Sequence, residues 1–198
     1  DMCGNGARCV ARLGFDIGAA TERMTIETRA GILHAAVCDE SVCLELPPPL
    51  LVEHGLSLTL PTGEGLEYAF LNTGVPHVVI QTDTVEDYPV EEHGRAVRQH
   101  AAFSPDGANV NIVSIQDERH MAVRTYERGV EGETLACGTG ITACAVVAVQ
   151  QGLVRSPVTV CAASGDSLEV DVGIDGDAIC RLSLTGPAVY VCTGEFEI

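Results

Sequence analysis

One pattern occurs twice in this chain. Cys3-Gly-Asn-Gly-Ala-Arg-Cys-Val-Ala and Cys137-Gly-Thr-Gly-Ile-Thr-Ala-Cys-Ala each set Cys-Gly-x-Gly directly before a short apolar run. The copies are separated by about the length of one small domain. A single Gly-rich loop is weak as a signal. A duplicated one, with Cys leading each copy, demands a fold that gives both cysteines the start of a helix.

That placement has chemical consequences. A cysteine just ahead of a helix lies beside unpaired backbone N–H groups and the positive end of the dipole. A thiol there is expected below its ordinary pKa of about 8.5. Glycines allow a ligand to approach the backbone, and the free N–H groups suit a carboxylate. Each loop thus offers a sulfur and a carboxylate cradle together. Inverting an α-carbon without a cofactor needs a base on one face and an acid on the other, and two facing thiols meet that need. Either loop alone reads as an ordinary helix start with an incidental cysteine. The matched pair reads as acid and base.

Most of the remaining chain reads as short strands. β-Branched or alternating runs predict strands over 24–28, 32–38, 42–46, 68–71, 77–82, 109–115 and 121–126. Further runs follow at 158–162, 167–172, 178–184 and 188–192. Helices are expected at 7–13, 90–101 and 143–151, the last stopped by Gly152. Pro47-Pro48-Pro49 fits neither helix nor sheet interior and marks a domain boundary.

Composition removes several classes of function. The net charge is −17, from 28 acidic and 11 basic side chains. Nucleic-acid binding depends on Lys and Arg displacing counterions, and an anionic membrane repels such a chain. Neither partner is expected. The longest apolar run, 141–149, is far too short to cross a bilayer, and no secretory signal is visible. Nine cysteines, an odd number, include several inside apolar runs, and no C-x-x-C pair occurs. Free thiols in a reducing cytosol are expected, with neither a disulfide framework nor a metal site.

Other polar residues are ambiguous individually. His77 follows Gly74-Val75-Pro76 at a strand start, where a histidine is more often structural than catalytic. Glu127-Arg128 lies ten residues before Cys137. Such a pair is usually solvated, yet its position suits carboxylate recognition by Arg128. Asn109 and Asn111 read as turn and edge-strand residues, and Arg95, Arg98 and His100 as solvent-facing.

Taken together, Met2-Cys3-Gly4-Asn5-Gly6-Ala7-Arg8-Cys9, Gly74-Val-Pro-His77, Asn109-Val-Asn111, Tyr126-Glu-Arg-Gly129 and Ala136-Cys-Gly-Thr-Gly140 resemble the diaminopimelate epimerase family. The motifs stand in that family's order along the whole chain. The resemblance implies interconversion of LL- and meso-diaminopimelate, on the route to lysine and peptidoglycan, without pyridoxal phosphate or metal. It implies an α/β fold, rich in strands, of two similar domains. Each is a curved, mostly antiparallel sheet around a central helix, and the active site lies in the cleft between them.

On that resemblance the first domain comprises 1–48 with 185–198, closed by a returning strand within 186–198, and the second 49–184. Cys3 and Cys137 match the catalytic cysteines. Gly4, Asn5, Gly138 and Thr139 match residues that hold the α-carboxylate. His77 and Glu127 match contacts to the amino group that also tune the thiols. Asn109 and Arg128 match contacts to the distal end. The implied partner is a small amino acid, the compartment is the cytoplasm, and family members are often homodimers.

Two departures stand out. Family members carry about half a domain before this motif, so the N-terminal part of the first domain is expected to be missing here. Activity of this stretch alone is not expected. Val75 also replaces an Asn that touches the distal end of the substrate. Either Asn72 compensates or the specificity has shifted. Rival readings are a proline- or histidine-type racemase of the same superfamily, and a non-catalytic relative. Asn5 and Glu127-Arg128 argue against the proline type, and retention of both cysteines argues against the non-catalytic one.

Overall fold

A computed structural model describes residues 3–29, 31–176 and 178–195. Its helices are α1 (Gly4–Asp16), α2 (Val90–Arg98) and α3 (Gly138–Gln150). The first strands are β1 (Arg23–Thr28), β2 (Gly31–Cys38), β3 (Ser41–Glu45), β4 (Val52–Thr59), β5 (Gly65–Asn72) and β6 (Pro76–Gln81). They are followed by β7 (Asn109–Ile115), β8 (His120–Glu127), β9 (Gly132–Thr134), β10 (Val158–Ala162), β11 (Ser167–Asp175) and β12 (Ala178–Pro187).

The strands form one open sheet in the order β1-β2-β3-β12-β11-β10-β8-β7-β6-β5-β4, with β9 on β8. Pairing is antiparallel except at β6–β7 and β8–β10. Parallel neighbours need a crossover. Helix α2 lies in the first of these connections and α3 in the second.

Each part of the sheet has its own helix. Helix α1 packs on β1, β2, β3 and β12, whereas α3 packs on β5–β8, β10 and β11. The two sequences explain the difference. In α1 the buried positions are Gly4, Ala7, Arg8 and Ala11, which form one stripe at helical spacing. In α3 every residue from Gly138 to Ala148 is buried, as an all-round apolar helix requires. The strand-rich α/β fold is as the resemblance implied. None of the described helices is long and apolar enough to cross a membrane.

Alternation along the central strands sorts residues between α2 and α3. Val79, Val113, Met121 and Val123 join the core around α3. Their sequence neighbours Val78, Val110, Ile112, Ala122 and Tyr126 join a second core beneath α2. Helices on both faces make β7 buried from Asn109 through Ser114. Asn109 and Asn111 therefore sit in a central strand, and the turn and edge-strand reading is corrected. The reason is the α2 crossover, which brings β6 alongside β7.

Other boundaries moved as well. The run 188–192 is not a strand, and Val189, Tyr190 and Val191 are exposed. The partner strand has run out: β3 begins at Ser41, opposite Pro187. The strand that returns to β3 is thus β12, spanning 178–187, and its Ser183–Pro187 portion pairs with Ser41–Glu45. The expected division at 184/185 falls inside this strand, and residues 196–198 lie outside the described residues. Strand β4 escaped the sequence reading because it is an irregular, largely exposed edge, with a register shift between Glu53 and Leu56.

Gly94 of α2 lies against Tyr126 of β8. A β-carbon at Gly94 would overlap Tyr126 Cβ and stand 2.7 Å from its Cγ. Ala would gain about 1 kcal/mol of helix propensity, but overpacking a buried contact costs about 1–3 kcal/mol. Gly94→Ala is therefore expected to be net destabilising, with a lower urea midpoint at unchanged m-value.

Candidate active site

The two repeated loops meet. A β-carbon added to Gly138 would stand 3.7 Å from Gly4 Cα and 3.1 Å from Leu184 Cδ2. The starts of α1 and α3 thus abut through their first glycines, at a spacing that a side chain would disturb. Asn5 Nδ2 spans the junction and donates to Ala136 O at 3.2 Å. Arg8 Nη2 donates to Asn5 Oδ1 at 3.1 Å and fixes that amide. Arg8 is buried, and burial lowers its pKa.

Cys3 and Cys137 are the N-caps of these helices, both with extended backbone. Cys3 is exposed, and its sulfur accepts from Gly6 N–H at 3.4 Å. Cys137 is buried, with Sγ 3.4 Å from Thr139 Oγ1. Burial pushes the Cys137 thiol up, and the charges of Glu127 and Cys3 push it further. Hydrogen bonds from Thr139 and the Gly140 N–H act the other way without prevailing. The expectation of a lowered thiol is therefore corrected for Cys137. Removing the sulfur from water outweighs the favourable helix start.

Register gathers the other side chains. His77 lies opposite Asn109 across β6–β7, and Asn111 lies opposite Thr125 across β7–β8. The two-residue period puts His77, Asn109, Asn111, Thr125 and Glu127 on the face that holds α3. His77 is fully buried, and Asn111 Nδ2 is 3.1 Å from its Nδ1. Burial first, and then the nearby Arg128 charge, push the His77 pKa down to about 3. Asn109 Oδ1 accepts from the Arg128 backbone N–H at 2.8 Å. Its side chain thereby shapes the loop after β8.

A cleft of about 540 Å³ opens at this junction. Cys3, Asn109, Glu127, Arg128 and Thr139 line it, and Val75 supplies an apolar wall. Gly4, Asn5, Gly138, Cys137 and His77 are not among its lining residues. Arg98 and Asp106 also line the cleft. Arg98 is not simply solvent-facing as expected. Its Nη2 pairs with Glu131 at 3.0 Å, and its side chain is 20% exposed. The contact depends on Gly107, where a β-carbon would overlap the Arg98 guanidinium. The sequence signal was the Pro-Asp-Gly turn, whose target was invisible. Arg95 is exposed, and His100 is half-buried. Among the described residues no group of three His, Cys, Asp or Glu side chains converges to hold a metal.

This arrangement has relatives. A family model described as diaminopimelate epimerase matches residues 69–191. The chain is 44% identical over 200 residues to the diaminopimelate epimerase of Aquifex aeolicus (strain VF5), covering 100% of this chain and 70% of that one. It is 39% identical over 205 residues to that of Hydrogenobaculum sp. (strain Y04AAS1), covering 100% and 72%. Among solved structures, a hydroxyproline epimerase from Agrobacterium vitis superposes with TM-score 0.73 at 17% identity, over 91% of this chain and 62% of that one. A phenazine biosynthesis protein of the PhzF family from Bacillus anthracis superposes with TM-score 0.73 at 16% identity, over 100% and 77%. These two likenesses concern the fold alone.

The buried imidazole makes acid stability testable. Above about pH 6.5 His77 is neutral whether the chain is folded or unfolded. Below that, the unfolded chain takes up a proton that the folded one refuses until about pH 3, so stability falls across this window. His77→Gln removes this contribution. Its unfolding free energy is expected to fall less between pH 7 and 4 than that of the parent, in urea titrations at stepped pH. Equal slopes would contradict the burial of a neutral ring.

Proposed function

The chain belongs to the diaminopimelate epimerase family, and from that premise we propose that it interconverts LL- and meso-diaminopimelate by proton transfer between Cys3, Cys137 and the substrate α-carbon. Family membership makes it an isomerase. The observation that carries the mechanism is the abutment of two Cys-led helix starts beside one cleft.

Each residue has a part in this reading. Burial favours the thiol form of Cys137, which suits it to deliver a proton while Cys3 takes one from the opposite face. The α-carbon–hydrogen bond breaks as an S–H bond forms on one cysteine. The S–H bond of the other breaks as the inverted centre is protonated. In the reverse direction the roles exchange. Backbone N–H groups at Gly4, Asn5, Gly138 and Thr139 receive the α-carboxylate, where negative charge grows as the carbanion forms. Two helix N-termini aimed at one spot strengthen that cradle. Glu127 takes the amino group and, through its charge, disfavours premature ionisation of Cys137. His77 supports the same end of the substrate. Asn109 and Arg128 take the distal end, with Val75 beside them. No cofactor enters this scheme.

We also read the protein as a cytosolic homodimer, since all nine cysteines are free and the family's members are often paired. Two domains, divided near the Pro47–Pro49 break, are in keeping with one helix for each part of the sheet.

The test is α-hydrogen exchange. LL-diaminopimelate incubated with the full reduced protein in deuterated buffer should lose its α-proton NMR signal as the meso isomer appears. Cys137→Ser is expected to slow this by about 10²–10⁴-fold, the usual contribution of a general acid or base. Cys144→Ala, in the core, and Cys161→Ser should change the rate little. Equal losses in all three variants would sink the assignment. Absence of exchange from folded, reduced protein would move the substrate to another amino acid such as histidine.

A further inference from the structure

We propose that Asn111 is a positioning residue that fixes His77 with its proton on Nε2, so that His77 serves the cleft as a hydrogen-bond donor to an anionic atom and not as a base or an acceptor for an ammonium group. The tautomer follows from a chain of contacts. Asn111 Nδ2 donates to Val78 O at 2.9 Å. A backbone carbonyl can only accept, so the amide nitrogen must lie on that side. Asn111 Oδ1 is then left to accept from Thr125 Oγ1, at 3.0 Å. The second hydrogen of Nδ2 reaches His77 Nδ1, at 3.1 Å. Nδ1 must therefore present its lone pair, which puts the ring proton on Nε2.

His77 Nε2 is buried without a hydrogen-bond partner among the described residues. Leaving a buried donor unsatisfied is costly, and such groups in native proteins call for a reason. A ligand acceptor supplies one. An ammonium group cannot, because it too only donates. In the function proposed above the reacting acceptors are a substrate carboxylate oxygen and a cysteine sulfur, both anionic at some stage of a two-thiol reaction. This last step rests on the function proposed above, but the tautomer does not. Arg128 is the charged side chain that His77 feels, and it too disfavours a doubly protonated ring.

The repeated motif seats the lock. A β-carbon on Gly140 would overlap Asn111 Oδ1. The third residue after Cys137 in sequence is thus held bare for an amide from β7. The glycine that lets α3 start close to the sheet also sets which ring nitrogen of His77 is protonated. An aspartate at position 111 would accept at both oxygens and would draw the ring proton to Nδ1.

The test is long-range 1H–15N correlation NMR on the full protein labelled with 15N-histidine. His77 is expected to show a bare Nδ1 and a protonated Nε2, unchanged between about pH 5 and 8, where a free histidine titrates. Asn111→Asp should reverse the pattern or protonate both nitrogens. A parent spectrum with Nδ1 protonated would overturn the proposal, as would an Asn111→Asp spectrum identical to the parent's. Should that variant fail to fold, the parent spectrum decides alone. The measurement needs no turnover, so a failed exchange assay with diaminopimelate would overturn the substrate and leave this assignment standing.

Discussion

Two helix N-termini pressed together are unfavourable by themselves, since each carries a partial positive charge. Here α1 and α3 meet through Gly4 and Gly138, and the buried guanidinium of Arg8 adds a full charge nearby. The arrangement is held from outside the junction. Helix α3 is enclosed by the sheet along most of its length. Arg8 Nε also donates to Pro187 O at 3.4 Å, at the end of the strand that joins the two parts of the sheet. The packed core thus maintains a concentration of positive potential that an anionic ligand would relieve. The carboxylate cradle proposed for this junction is in keeping with that concentration of charge, on a chain of net charge −17.

The same enclosure sets the character of the sulfurs. The two cysteines occupy matching caps, yet one is exposed and the other buried. The asymmetry arises because α1 buries a single stripe, while α3 is buried from Gly138 to Ala148. Identical motifs are therefore given different solvation, and at Cys137 burial favours the protonated thiol.

Much of this is legible in the sequence. The helix starts at the duplicated loop and the strands over 109–115 and 158–162 stand where alternation and punctuation placed them. What it missed shares a cause. Asn111 reads in sequence as an edge-strand residue because nothing local reveals that α2 carries the chain back to lay β6 beside β7. Arg98 looked solvated because its partners, Glu131 and Gly107, lie elsewhere along the chain. The run at 188–192 looked like a strand because β-propensity says nothing about where a partner ends.

The sequence by itself determined which residue types could act: two cysteines at helix starts, glycines that free the backbone around them, and a His, Glu and Arg at strand ends. These are local properties, set by helix capping, backbone freedom and the two-residue period of a strand. Only the tertiary structure decided which thiol is removed from water, which nitrogen of His77 faces Asn111, and that the two loops share one cleft. Those are matters of burial and register between segments far apart along the chain. Solvation and hydrogen-bond direction depend on neighbours that the linear order does not name.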